Sequence, residues 1–200
     1  MREKFVGRIL LFIIVSVIVS TFVVFLWTSI SDYSSSLKNN DKDFETYIEK
    51  TVGYDIDILT TMEQDNYKYI MFTKKGSNGA NIFAFKKWHF NRFIDAGAIF
   101  HSNDLKQDKS SKSLFGALNI MDEKNKQKYV VFGINSSDIA KYYTIDINEK
   151  EFKREITDAY FIDVLDFNEM SSLKLRSIKF YGKHDEDVTD KMIIKDENGQ

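Results

Sequence analysis

Three histidines, His89, His101 and His184, are the only imidazoles in a chain of 200 residues that has no cysteine. The absence of thiols removes disulfides, thiolate metal sites, a cysteine nucleophile and a lipidated-cysteine anchor. No two histidines stand at metal-ligand spacing on one element. His89 lies between Trp88 and Phe90 in a strand-like run, where an imidazole is a surface or core-edge residue. His101 opens a long polar stretch and becomes an acid or base only if the fold delivers a carboxylate or hydroxyl to it. His184 begins the run His184-Asp185-Glu186-Asp187-Val188-Thr189-Asp190, whose oxygens could gather around Ca²⁺. Counted from Asp185, the sixth position is Asp190 rather than glycine, and the twelfth is Asp196 rather than glutamate. The stretch Asp185 to Asp190 therefore reads as a solvated acidic loop.

No nucleophile motif and no phosphate-cradling glycine loop is present. Gly76-Ser77-Asn78-Gly79 is a hairpin turn by its length and setting. The run Lys86-Lys87-Trp88-His89-Phe90-Asn91-Arg92-Phe93 interleaves cations with aromatics and could face a polyanion. Plain strand alternation accounts for it as well, with Trp88 and Phe90 turned to a core and Lys87, His89 and Asn91 turned to water. These readings leave no catalytic, cofactor-binding or metal-ligating residue to assign. The chain reads as non-enzymatic with no cofactor.

The elements around these residues begin with an uncharged run over 9–30, whose clearly polar residues are Ser16, Ser20, Thr21, Thr28 and Ser29. As a helix it reaches roughly 33 Å, enough for a ~30 Å hydrocarbon layer. Its hydroxyls can bond back to carbonyls one turn earlier. Trp27 sits near one end, where an indole favours the interface. Arg2, Lys4 and Arg8 precede the run with only Glu3 against them, so the positive-inside rule sets the N-terminus in the cytoplasm and the remainder outside. A cleaved secretory signal, with Ser29-Ile30-Ser31 as a small-x-small site, is the alternative, but the apolar run exceeds a signal core of 7–15 residues. A buried soluble helix is the bland reading, and an all-round apolar run of this length argues against it. A pilin-type start would place its glutamate inside the apolar run, whereas Glu3 precedes it.

Residues 31–40 are polar and serine-rich and read as a short flexible stalk. Phe44, Tyr47, Ile48, Thr51 and Val52 make one stripe of a helix over about 42–52, with Asp41 or Asp43 as its cap and Gly53 as its stop. The stripe favours packing on the domain over lying on a membrane surface. After Gly53 the period falls to two. Tyr54, Ile56, Ile58, Thr60 and Met62 alternate with polar residues. Strand-like runs follow at 67–73, 81–86, 88–93, 114–121, 128–132, 140–147, 160–167, 173–175 and 178–181, and 151–156 fits helix or strand. Residues 101–113 form a long polar loop. Lys68-Tyr69-Ile70-Met71-Phe72 is echoed by Lys128-Tyr129-Val130-Val131-Phe132, each after a polar turn and before a further strand. Two similar hairpin-plus-strand units are the expectation.

Composition agrees with one exterior domain. Hydrophobic residues make up 43%, charged 29% and aromatic 14%, too apolar for a disordered chain and too polar for several spans. Taking Arg2, Lys4 and Arg8 from 28 basic residues, and Glu3 from 30 acidic ones, leaves the exterior segment near −4, which argues against nucleic acid. The short basic start, single apolar run, polar stalk and strand pattern from Tyr54 onward resemble small membrane-anchored exterior proteins of low-GC Gram-positive bacteria. The resemblance implies a single-pass membrane location and carries over no site residue.

The expected organisation is a cytoplasmic N-terminus over 1–8, a transmembrane signal-anchor over 9–30, a stalk and amphipathic helix over 31–52, and a mainly β extracytoplasmic domain over 53–200. An α+β fold is the alternative. The expected role is a membrane-anchored contact with another envelope protein, its surplus aromatics supplying the surface. A subunit of a conjugation or secretion machine and a cell-envelope hydrolase are the alternatives.

Overall fold

A computed structural model describes residues 2–77, 79–100, 113–121, 126–167 and 175–195. The chain is mainly β, with antiparallel sheets, as the period-two runs predict. Helix α1 spans Arg2–Ser35. Within it, the Ser20 and Thr21 hydroxyls donate to the Val17 carbonyl at 2.9 and 2.8 Å, the local bonding that lets hydroxyls sit in an apolar helix. Among the described residues no helix is long and apolar enough to cross a membrane.

The expected stalk takes a different form. The backbone stays helical to Ser35, and β1 (Leu37–Lys38) then pairs with β5 (Arg92–Phe100), Leu37 opposite Phe93 and Lys38 opposite Arg92. Polar composition suggested freedom, but the ladder bonds to β5 hold the chain. Helix α2 covers Asp41–Val52. Its cap is Asn40 rather than either aspartate, the Asn40 carboxamide oxygen accepting from the Asp43 N–H at 2.9 Å. Gly53 ends it at φ +80°, its N–H donating to the Glu49 carbonyl at 2.8 Å.

The remaining strands are β2 (Ile56–Gln64), β3 (Tyr67–Lys74), β4 (Asn81–Trp88), β6 (Ser113–Met121), β7 (Gln127–Asn135), β8 (Tyr142–Ile147), β9 (Lys150–Glu155), β10 (Tyr160–Phe167), β11 (Leu175–Tyr181) and β12 (Met192–Lys195). They form three sheets, ordered β1-β5-β4-β3-β2, β10-β7-β6-β12 and β11-β8-β9. Three clusters glue four layers together. Phe44 and Ile48 of α2 meet Ile70, Phe72, Phe83, Phe85 and Phe93 on the first sheet. The first sheet's other face puts Tyr69, Met71 and Ile82 against Leu118, Val130 and Phe132 of the second. The second sheet's far face puts Tyr129, Val131 and Phe161 against Tyr143, Ile145 and Phe180 of the third. Packing of α2 is thus through its stripe, with Phe44 rings 4.8 Å from Phe85 and 5.6 Å from Phe93.

The echoing pentapeptides occupy the middle strands β3 and β7. In the first sheet β3 lies between β2 and β4; in the second, β7 lies between β6 and β10. The hairpins match, but the third strand does not. β8 leaves for the third sheet, and β10 takes the place beside β7. A β8–β9 hairpin is in effect inserted into the second unit, which is why the echo fades after Phe132.

Other boundaries shift for local reasons. A register break between Ile58 and Thr60 turns Met62 to the opposite face from Ile56 and Ile58. A second break, between Ala84 and Phe85, absorbs Ala96 and Gly97, the latter at φ +69°, so β5 runs unbroken through this small-residue stretch. Residues 150–155 settle as an edge strand whose alternating charges suit an unpaired edge. β12, unforeseen in sequence, adds to β6 in parallel.

Candidate functional site

The site is built where α1 meets the first sheet. The Arg92 guanidinium donates through Nε to the Ser36 hydroxyl at 2.5 Å and through a terminal nitrogen to the Ser36 carbonyl. It also sits 4.6 Å from the Tyr33 ring, a cation–π contact. Tyr33 in turn stands 6.3 Å from Trp88, ring to ring. Ser36 is buried although it is polar, because its hydroxyl both receives Arg92 and donates to the Tyr33 carbonyl at 2.8 Å. Helix and sheet are thereby coupled through a strand pair, a guanidinium and two aromatic rings, not through a loose tether.

The turn beside this junction differs from the expected strand over 88–93. His89–Asn91 form a 3-10 turn between β4 and β5. Phe90 lies at φ +56° and Asn91 at φ +54°. Asparagine tolerates the left-handed region, but a β-carbon-bearing aromatic there is strained by about 1–2 kcal/mol. Alternation would have buried Phe90; instead it is 88% exposed. Trp88 is half-buried, Phe93 is buried, and Lys87 and His89 are exposed.

Two further polar clusters fasten the layers. Lys128 of β7 is buried between the first two sheets. Its ammonium donates to Asp65, in the β2–β3 turn, at 2.7 Å and to Asp166 of β10. Burial pulls the ammonium down, but the bonds to Asp166 and Asp65 more than reverse this and hold its pKa above the ordinary lysine value. The Lys128 hydrogen bond, then its charge, keeps Asp65 below the ordinary carboxylate value. Tyr69 points its hydroxyl toward this cluster without a hydrogen-bond partner among the described residues. Lys68 of β3 is also buried, and it donates to Asn39 at 2.9 Å and Glu63 at 3.2 Å, with the Phe44 ring 5.0 Å away.

Tyr47 of α2 donates to Asp95 at 2.8 Å; burial, then that bond, push its pKa up to about 12. Tyr143 of β8 donates to Asp163 of β10 at 2.6 Å, linking the third sheet to the second; burial, then the Asp163 charge and the bond to it, raise its pKa. On the outer face of the third sheet Tyr142 and Tyr181 stack at 4.8 Å, with the Lys153 ammonium 3.6 Å above Tyr142.

The acidic run is folded onto its own backbone. Asp187 accepts from the Thr189 N–H at 2.9 Å, Glu186 from the His184 N–H at 2.8 Å, and Asp185 from the Tyr142 hydroxyl at 2.9 Å. Hydrogen bonding lowers the Asp187 and Glu186 pKa values, through Thr189 for the first and the backbone N–H groups of Glu186 and His184 for the second. Among the described residues no group of three potential ligands could hold a metal. His101 and Asn78 lie outside the described residues. His89 and His184 sit in separate turns and do not come together.

Sequence reasoning missed Ser36, Asn39 and Asp166, whose roles depend on partners far away in the chain. Arg92, Lys68 and Lys128 carried a signal, as cations within apolar runs. Compared with family models, curated proteins and solved structures, the chain matches none.

Proposed function

We propose that this chain is a single-span, membrane-anchored extracytoplasmic protein that works by contacting another envelope protein, not by turning over a substrate. The observation that carries the reading is the surface of α1. Every large hydrophobic side chain described along 13–27 is exposed, from 42% at Leu26 to 75% at Trp27. An apolar surface of that extent in water is unfavourable at ~25 cal/mol per Å², and lipid would cover it on all sides. The uncharged sequence 9–30 supplies the length, and Arg2, Lys4 and Arg8 supply the orientation.

Support for a contact role comes from how the polar clusters are used. Lys128 with Asp65 and Asp166, Lys68 with Glu63, and Arg92 with Ser36 each tie one element to another. Met121, Tyr160 and Leu175 remain exposed on the domain as apolar contact points. The test uses membranes from cells making the full chain. Alkaline carbonate should leave it in the pellet, protease on intact cells should trim it, and cross-linking should capture a second protein. Release by carbonate overturns the anchor. Cross-linking that yields no partner, a second copy included, overturns the contact role.

A further inference from the structure

The turn at His89–Asn91 has three properties that point one way. It carries Phe90, at 88% the most exposed large hydrophobic of the β-domain among the described residues. It holds that residue at φ +56°, a conformation that bulky side chains avoid. And it is anchored to the exit of α1, through Trp88 against Tyr33 and Arg92 against Tyr33 and Ser36.

Position along the helix gives the level. If the apolar run ends at Ile30, Tyr33 lies three residues further, about 4.5 Å along the axis. The headgroup layer beyond the hydrocarbon is ~5–7 Å deep on each side. Tyr33 therefore falls within that layer, and the Trp88 ring packs against it at 6.3 Å. Tyrosine and tryptophan both favour this depth. Lys38 and Lys87, exposed around the same junction, suit a layer of phosphates. A water-facing Phe90 forgoes about 1.5–3 kcal/mol of burial and adds strain on top. Both are accounted for if the side chain has an apolar phase to enter.

We propose that the β4–β5 turn is a second membrane contact, with Phe90 entering the outer leaflet beside α1 and Trp88 and Tyr33 lying at the headgroups. It rests on the reading of α1 as the anchor. One span alone lets a domain swivel and tilt; a second contact beside a rigid junction holds the β-layers at one angle to the bilayer. The partner surface would then be presented at a set height and orientation.

The chain's lack of cysteine makes the test direct. The full-length protein with Phe90→Cys is labelled with an environment-sensitive fluorophore and reconstituted in vesicles of phosphatidylcholine and phosphatidylglycerol. Glu151→Cys, on the third sheet, is the comparison site. At position 90 the emission should shift to the blue, nitroxide-bearing lipid should quench it, and aqueous iodide should quench it several-fold less than at position 151. Carbonate extraction of the same vesicles separates the two readings. If the protein is extracted, the anchor fails and the turn's seat fails with it. If it is retained but iodide quenches both sites equally, the seat alone is overturned. Protection from iodide without quenching by nitroxide lipid would show a second copy covering Phe90, and this too overturns the lipid contact.

Discussion

Two strands of this molecule carry nearly the same five residues and use them differently. Lys68-Tyr69-Ile70-Met71-Phe72 forms the middle of the first sheet, and Lys128-Tyr129-Val130-Val131-Phe132 the middle of the second. Both strands are buried on both faces. In β3 the side with Lys68, Ile70 and Phe72 faces α2. In β7 the side with Lys128, Val130 and Phe132 faces the first sheet. The two sheets are thus stacked facing the same way, like two trays, and not mirrored as hands in prayer. Each lysine meets a carboxylate directly across its own sheet, Glu63 for Lys68 and Asp166 for Lys128, and one further group from elsewhere in the chain. For Lys68 the pair is a neutral amide and one half-exposed carboxylate. For Lys128 it is two carboxylates from two different sheets.

The largest expected effect tests that difference. Asp65→Asn with Asp166→Asn leaves the Lys128 ammonium buried without an opposing charge. Urea unfolding of the full chain in nanodiscs should show a loss of about 3 kcal/mol. Lys128→Met should cost less, because it removes the buried charge and leaves two carboxylates that already reach water, at 58% and 42% side-chain exposure. If Lys128→Met is the worse of the two, the lysine acts through its packing rather than its charge. The pH dependence follows from the same pair. Asp65 is shifted down, so its contribution is present above the unfolded value near ~3.9 and is lost as pH falls through the folded value. Lys128 is shifted up, so its contribution is present below ~10.4 and is lost as pH rises through its folded value. The stability gap between the native chain and the double asparagine variant should therefore narrow at both extremes and hold steady between them.

How much of this was legible in sequence depends on range. Local signals survived well. The apolar stripe from Phe44 to Val52, the stop at Gly53 and the polar turn ahead of Lys68 all appear where period and turn chemistry put them. Signals that depend on what a segment meets did not. Residues 31–40 are polar enough for a free stalk, yet β5 offers them ladder bonds and Arg92 offers Ser36 a partner. Phe90 sits in an alternating run, yet the chain turns there and alternation stops. The insertion of β8 and β9 between β7 and β10 could not be read from the echo, because pairing partners are set by the third dimension. The junction was hidden for the same reason: its two ends, Tyr33 and Trp88, share no local pattern.

A middle-sized effect sharpens the comparison at the tyrosines next to those lysines. Tyr69 is fully buried, and its hydroxyl has no partner among the described residues, although it points toward Asp65 and Asp166. A buried, unsatisfied hydroxyl is unfavourable, so Tyr69→Phe should raise stability by about 1 kcal/mol in the same unfolding experiment. A loss instead would mean that the hydroxyl is bonded into the Lys128 cluster, which then extends one residue further into the first sheet. In that case Tyr69→Phe and the double asparagine variant would be non-additive, and a double-mutant cycle would measure by how much.

The smallest effect belongs to the other lysine. Glu63→Gln removes the only charge bonded to Lys68 among the described residues, a substitution that resembles half of the double asparagine change. Yet Glu63 is 44% exposed and Asn39 still accepts from the ammonium at 2.9 Å, so the variant keeps two neutral acceptors in place. A half-exposed pair of this kind contributes little once solvent screens it, and a loss of about 0.5 kcal/mol is expected. Salt separates the two lysines further. The Lys68 pair, open to water on one side, should weaken between low salt and 1 M, where the Debye length falls to ~3 Å. The Lys128 ammonium is as buried as that of Lys68, and its carboxylates reach water as Glu63 does, but it has two of them, so the cluster should keep more of its contribution in salt. Equal fractional losses at the two sites would mean that the second carboxylate adds nothing to the Lys128 clamp.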